Sequence, residues 1–234
     1  MSEILSLIQQ RKSTRAPFDP ARPVGAADLA MILEAARWSP TAHNVQNFEI
    51  VVIDDPKLLE EIGEIQSPVS ATFIRENYDQ LSFSEEELER KRTGILGSQF
   101  PPAWTAPDLD PEKIAAESGP SFLKSTIKDS PTVLVALYDS TKRAPASEGD
   151  VLGFLSLGCV MENMWLMAEE LGIGYQVMSA FSSDANESQL KQTLEIPEHM
   201  RIAFAVRLGY PAGEPRPYLR VRREIESFTH RNGY

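Results

Sequence analysis

Positive charge and hydroxyl groups are concentrated in residues 11–15 (RKSTR), although the chain of 234 residues carries a net charge of −11. The five side chains are those of Arg11, Lys12, Ser13, Thr14 and Arg15. Guanidinium groups form strong, often bidentate hydrogen bonds with phosphate. The pattern therefore predicts a short extended segment that holds one small anion. The alternative is a solvated, frayed N-terminus.

A second polar stretch, residues 37–48 (RWSPTAHNVQNF), lies between a predicted helix and a predicted strand. Its hydroxyl, imidazole and amide groups belong to Ser39, Thr41, His43, Asn44 and Gln46. Such a loop can present side-chain amides and backbone N–H groups to a flat heteroaromatic ring. The same residues are typical of a helix C-cap followed by an Asx-turn, so both interpretations stay open.

The elements that would position these stretches follow from the spacing of apolar residues. Helices are predicted within residues 2–11, 26–39, 56–65, 150–171 and 188–196, and strands at 48–53, 132–138 and 201–210. The helix at 150–171 is apolar on nearly every side, which predicts burial on several faces, and Gly172 would end it. Residues 67–130 are weakly patterned, which is typical of a lid or binding segment. The length allows one large α/β or α+β domain or two small ones.

Composition excludes several classes of function. The acidic balance argues against nucleic acid as a partner, because phosphate backbones are bound by basic surfaces. Cys159 is the single cysteine and the three histidines are scattered, so neither a disulfide nor a metal site is expected. The N-terminus does not resemble a secretory signal, and no run is expected to reach the ~18 apolar residues of a membrane span. We expect a cytoplasmic protein.

Four segments, in order along the chain, resemble motifs of the nitroreductase family. Residues 11–15 are similar to its R-[RH]-S-x-[RK] opening, and residues 38–48 (WSPTAHNVQNF) to its A-P-S-x-x-N-x-Q-P-W loop. Residues 158–174 (GCVMENMWLMAEELGIG) resemble its G-x-x-x-x-N-x-x-L-x-A-x-x-L-G-[LI]-G helix. Residues 222–228 (RREIESF) are similar to its closing R-[RK]-P-L-x-E-[IV]. The matches span nearly the whole chain.

The resemblance implies an α+β fold with a central mixed sheet flanked by helices, in a domain-entwined homodimer with FMN at the subunit interface. It implies one domain over residues 1–234, in which residues 67–130 form a lid or substrate-capping insertion. FMN would be the cofactor and NAD(P)H the co-substrate. Hydride would pass through flavin N5 to an electron-poor acceptor, such as a nitroaromatic compound or a quinone, in a ping-pong reaction.

The resemblance also assigns roles to individual residues. The FMN phosphate and ribityl chain would be bound by Arg11, Lys12, Ser13, Arg222 and Arg223. Flavin N1 and O2 would lie beside Arg15, which would tune the flavin as a catalytic residue. The loop that reaches the ring from the partner subunit would contain Pro40, Thr41 and Asn44. The segment that passes alongside the ring would contain Val177, Met178 and Ser179, and a backbone N–H near Ala180 would face N5.

Some residues depart from the family pattern. Thr41 stands where serine is usual, Asn47 and Phe48 replace Pro-Trp, and Glu224 replaces a proline. These changes affect substrate class more than FMN binding. Dehalogenation, oxidation of a bound substrate, flavin cleavage and a flavin-binding regulator without turnover therefore stay open as alternatives.

Overall fold

Helices form where apolar residues recur every three to four positions, and strands form where they alternate or run continuously. The computed structural model describes residues 2–78, 81–104, 106, 108–213 and 219–234. The helices are α1 (Glu3–Gln10), α2 (Ala26–Arg37), α3 (Pro56–Gly63), α4 (Ala71–Tyr78), α5 (Glu85–Lys91), α6 (Pro111–Glu117), α7 (Phe122–Ile127), α8 (Val151–Glu170) and α9 (Asp184–Thr193). The strands are β1 (Glu49–Ile53), β2 (Ser82–Phe83), β3 (Ile95–Leu96), β4 (Thr132–Asp139), β5 (Gly174–Met178) and β6 (Met200–Gly209).

The chain divides into two compact units. The first contains Met1–Ser67 and Ser121–Pro215, and the second contains Pro68–Pro120 and Arg216–Tyr234. The predicted insertion at 67–130 therefore corresponds to the second unit only up to residue 120. Its last part, α7, belongs to the first unit, where Lys124 forms a 2.5 Å ion pair with Glu64 after the end of α3.

The main sheet of the first unit has the strand order β1-β4-β6-β5, and each neighbouring pair is antiparallel. A parallel pairing occurs between β2 and β3 in the second unit. An antiparallel sheet with helices packed on it is an α+β fold, so the predicted fold class is confirmed. Among the described residues, antiparallel pairing occurs in the main sheet and parallel pairing in the separate sheet of β2 and β3.

Alternating side chains of the central strands build a core on each face of the main sheet. On β4, Val133 and Val135 face a core that includes residues of α3, α7 and α9. Leu134 and Ala136 face the opposite core, which includes residues of α2 and α8. The two sequence stretches of chemical interest, residues 11–15 and 37–48, each form a hydrogen bond with α8, so they lie on the α2–α8 side of the sheet.

Helix α8 has nearly its predicted bounds, and Gly172 follows it with the positive φ of +67° that favours glycine. Buried Val160 and Met164 face the core, whereas Val151, Phe154 and Leu155 are more than half exposed. By length and composition alone, the helical stretch at 148–170 could cross a membrane. Polar residues such as Ser156, Glu162 and Asn163 interrupt the stretch, so it is not an uninterrupted apolar run, although its mean hydropathy is high.

Strand β5 was not predicted, and its local sequence explains why. Residues 174–178 (GYQVM) follow a glycine-rich turn and show little alternation. Their ladder with β6, from the Gly174–Gly209 pair to the Met178–Ala205 pair, is a long-range interaction. Tertiary pairing therefore makes a strand that local propensity does not indicate.

The second unit has a small core of its own. Leu88, Leu96 and Val221 are buried together, so the basic C-terminal segment packs on α5 and β3. The Trp104 ring is buried and lies parallel to Phe100 at 6.2 Å. Two aromatic side chains of the 67–130 segment, Phe100 and Trp104, therefore pack partly on each other.

Candidate functional site

Residues 11–15 follow α1 and are held by α8 and β5. The indole Nε1 of Trp165 donates a 3.1 Å hydrogen bond to the carbonyl of Lys12. The N–H of Thr14 donates a 2.9 Å bond to the carbonyl of Tyr175, whose ring is stacked on Trp165 at 5.0 Å. Burial raises the pKa of Tyr175, so its hydroxyl stays protonated. These contacts exclude a frayed terminus over this segment.

Arg11 lies against α8. Its Nε is 3.0 Å from a carboxylate oxygen of Glu162, and its guanidinium carbon lies 4.4 Å from the centre of the Trp165 ring. The guanidinium is thus held on α8 by an ion pair and a ring contact. A phosphate bound here would share the cation with Glu162, which lowers the net positive charge of the site.

Arg15 has a different environment. Its Nη1 is buried and has no hydrogen-bond partner among the residues that the structure describes. Leaving a buried charged donor unpaired costs roughly 1–3 kcal/mol or more, and such groups usually mark an absent acceptor. This orphaned nitrogen fits a ligand that offers a lone pair or negative charge beside Arg15, as the N1/O2 edge of a flavin does.

The predicted ring-binding loop is positioned by α8. Asn163 donates a 2.9 Å hydrogen bond to the hydroxyl of Ser39, and the hydroxyl of Ser156 accepts a 3.0 Å bond from the N–H of Ala42. The motif asparagine of α8 therefore holds the beginning of this loop, which the sequence alone did not indicate.

The backbone of this loop is strained at three positions. His43, Asn44 and Gln46 have φ values of 52°, 54° and 49°, in the left-handed region that non-glycine residues rarely adopt. Strain of this kind persists only where the surroundings enforce it, and it clusters at functional sites. The surrounding contacts therefore hold the loop in one defined backbone conformation.

The remaining loop contacts fit the turn interpretation, and ring binding by this loop stays a prediction. The Thr41 hydroxyl accepts a 3.1 Å bond from the N–H of Gln46, and the Asn44 side-chain oxygen accepts one from the Gln46 amide. These are turn contacts. The loop also lines an open pocket of about 420 Å³, whose wall includes Trp38, Pro40, Thr41, Asn44 and Gln46. Pro40 and Asn44 are both exposed on this wall.

The segment at 177–179 leaves β5 and enters a short turn. Val177 pairs with Val206 and is half-buried, and Ser179 is exposed. The Met178 side chain is 3% exposed and belongs to the α3–α7–α9 core. Met178 can therefore offer a ligand its backbone only.

Arg222 and Arg223 lie in the second unit and are exposed. A guanidinium nitrogen of Arg222 donates a 2.7 Å bond to the Val221 carbonyl, and Arg223 lies 5.6 Å from the centre of the Phe228 ring. That these arginines and Arg11 bind one phosphate stays a prediction.

Sequence reasoning missed two groups of side chains. Glu162 and Trp165 of α8 were read only as part of a motif, yet they hold residues 11 and 12. Arg207 of β6 was read as an ordinary strand residue, yet it is buried and bonded to the backbone around Arg15. An arginine inside the apolar run AFAVRLG was the available signal. Among the described residues, no group of three or more His, Cys, Asp or Glu is placed to hold a metal ion.

The known proteins that this chain is similar to include oxidoreductases, dehydrogenases and nitroreductases. An NADPH-dependent oxidoreductase of Staphylococcus saprophyticus is 20% identical over 91% of this chain and 67% of its own length. An NADH dehydrogenase of Thermus thermophilus is 25% identical over 85% of this chain and 83% of its own. The crystal structure of a nitroreductase with bound FMN from Bacteroides fragilis has a TM-score of 0.58 and 20% identity, and each chain is covered completely.

A model of the nitroreductase family matches residues 8–210. The match includes the strained loop, α8 with its motif asparagine, and all four strands of the main sheet. The chain therefore belongs to the nitroreductase family.

Proposed function

We propose that this protein is an FMN-dependent oxidoreductase that takes hydride from NAD(P)H and passes it to an electron-poor small molecule, of the nitroaromatic or quinone type. The observation that carries the proposal is the buried, unpartnered Nη1 of Arg15 within the family's N-terminal motif. Relatives named as an NADPH-dependent oxidoreductase and an NADH dehydrogenase support the co-substrate class. They leave the choice between the two nucleotides open.

The chemistry of the motif residues suits this cofactor. Arg11, Lys12 and Ser13 would bind the phosphate and ribityl chain, with Arg222 and Arg223 as further phosphate ligands. Arg15 would face the N1/O2 edge of the ring, where negative charge collects on reduction. FMN, when bound, supplies an atom, N5, that accepts and donates hydride.

We further propose that the active protein is a homodimer. The exposed apolar side chains of α1 and α8, such as Ile4, Phe154 and Leu155, form faces that water disfavours. Association through these faces would cover them and would bring Pro40, Thr41 and Asn44 of one subunit to the flavin of the other.

The first experiment is purification followed by stopped-flow absorbance at the flavin band. We expect a yellow protein with about one FMN per chain, bleached rapidly by NAD(P)H and recoloured by a quinone or nitroaromatic compound. A colourless protein that takes up no FMN would overturn the proposal. Bleaching by dithionite but not by NAD(P)H would instead favour a regulator or one of the other flavin chemistries.

A further inference from the structure

Arg207 is a buried cation near the C-terminal end of β6. Its exposed fraction is 7%, and it forms no ion pair within 4 Å with a carboxylate of the described residues. Burial lowers the pKa of Arg207 to about 10, and the more distant charge of Asp129 opposes this shift. The guanidinium therefore stays charged at neutral pH. A buried charge of this kind persists only if its donors are satisfied.

Arg207 donates three hydrogen bonds, two of them to the backbone on either side of Arg15. Its Nε donates a 2.8 Å hydrogen bond to the side-chain oxygen of Gln176 on β5. Its Nη2 donates a 2.8 Å bond to the carbonyl of Ala16 and a longer, 3.4 Å bond to the carbonyl of Thr14. The two bonded carbonyls belong to the residues before and after Arg15.

Close packing also restricts the backbone that follows Arg15. Phe18 lies over the Arg207 guanidinium at 4.5 Å. A Cβ atom on Gly174 would come within 2.5 Å of the Phe18 ring, and one on Gly209 within 2.7 Å. Only glycine at these two positions lets Phe18 pack against the beginning of β5 and the end of β6. The backbone on both sides of Arg15 is thus fixed to the sheet.

We propose that Arg207 is a positioning residue that holds the backbone around Arg15, so that the Arg15 guanidinium is presented to the flavin. For its part in flavin binding the inference rests on the proposed function. An arginine suits this role because one planar group must donate to three oxygens in different directions. A lysine has a single nitrogen and an apolar residue has no donor, so neither holds both carbonyls and the amide.

The first test uses hydrogen exchange on the apoprotein and needs no flavin. In Arg207→Gln we expect amide exchange in residues 11–18 to rise about tenfold, because the local opening of this segment becomes easier. Arg207→Lys should give a smaller rise in the same residues, and it serves if the glutamine variant does not fold. Unchanged exchange in residues 11–18 would overturn the proposal.

The matched control is Arg201→Gln on the same strand. Arg201 donates to the buried carboxylate of Glu187 from the other end of β6. Its loss should lower overall stability without a selective change in residues 11–18. If Arg201→Gln loosened residues 11–18 as much as Arg207→Gln, the effect would be one of general stability, and the proposal would be wrong.

The second test is a double-mutant cycle on FMN affinity, measured by flavin fluorescence during titration of the apoprotein. Arg207→Gln should weaken FMN binding about tenfold in the wild-type background and less than about twofold in Arg15→Gln, since residues that act through one another are not additive. Equal losses in both backgrounds would show that Arg207 does not act through Arg15. Failure of the wild-type protein to bind FMN would refute the proposed function, and the exchange experiment would then decide whether Arg207 anchors the segment.

Discussion

At the scale of single residues, the charge of Arg15 is expected to tune a bound flavin. Two-electron reduction places negative charge near N1 and O2, so a guanidinium there stabilises the reduced form more than the oxidised form. A difference of about 1.5–3 kcal/mol, the range for hydrogen bonds to charged groups, corresponds to roughly 30–60 mV for a two-electron couple. Arg15→Gln should therefore lower the potential of the bound flavin by this amount.

Redox titration of the flavin-saturated variant measures that shift. Lys124→Gln is the control, because it removes the same charge from an exposed ion pair on α7, on the opposite face of the sheet. It should leave the potential unchanged. If Arg15→Gln lost FMN affinity while the potential stayed at the wild-type value, Arg15 would be a binding residue and not a tuning one.

Arg222 makes a separate prediction at this scale, because only FMN carries a phosphate and riboflavin does not. Arg222→Ala should weaken FMN binding by roughly 1.5–3 kcal/mol, the value of a charge-assisted contact, and should change riboflavin affinity little. Isothermal titration of the apoprotein with each ligand checks this. Arg231→Ala, an exposed arginine nine positions later, is the control. Equal losses for FMN and riboflavin would assign Arg222 a structural role.

At the scale of elements, the end of β4 links the strained loop to the sheet. The Asn47 side chain donates to the Asp139 carbonyl at 3.0 Å and accepts from the Asp139 N–H at 3.1 Å. The Asp139 carboxylate accepts bonds from the Thr141 hydroxyl and N–H and pairs with Lys142. These contacts, the Thr141 hydroxyl bond first, hold the pKa of Asp139 well below its usual range.

A depressed carboxyl pKa makes stability depend on pH. The contribution of Asp139 is fully present above the unfolded-state pKa of about 4 and is lost as the pH falls toward the folded-state value. Asp139→Asn should therefore lower the free energy of unfolding at pH 7, and the difference from wild type should shrink as the pH is lowered below 4. Urea unfolding of both proteins at pH 7 and at a pH below 4 tests this. A difference that is the same at both would mean that the carboxylate charge has no part in it.

The same elements show what a sequence can and cannot predict. Helices α2 and α8 and strand β4 were predicted closely, because their apolar spacing and their stop signals are local. Strand β5 was missed because its pairing with β6 is long-range. The roles of Arg207 and Glu162 were missed for the same reason, since each acts on residues 11–16 from far along the chain. The resemblance to a family supplied the site residues, and composition alone did not.

At the scale of the whole molecule, the exposed apolar face of α8 bears on the oligomeric state. Val151, Phe154 and Leu155 are each more than half exposed in the single chain, and helices that are apolar on nearly every side are normally buried. Obligate homodimer interfaces bury about 2,000 Å² or more and resemble a core cut in half. We therefore expect a dimer that does not dissociate at working concentrations.

Light scattering of the wild-type protein and of Leu155→Glu tests this expectation. The variant places a charge in the predicted interface, so it should give a monomeric mass and lose FMN, because the loop containing Thr41 and Asn44 would no longer reach the partner's flavin. Gln192→Glu, which adds the same charge to an exposed position of α9, should stay dimeric and yellow. A wild-type monomer that retains flavin would contradict the dimer. A Leu155→Glu dimer with bound FMN would place the interface elsewhere than on this face of α8.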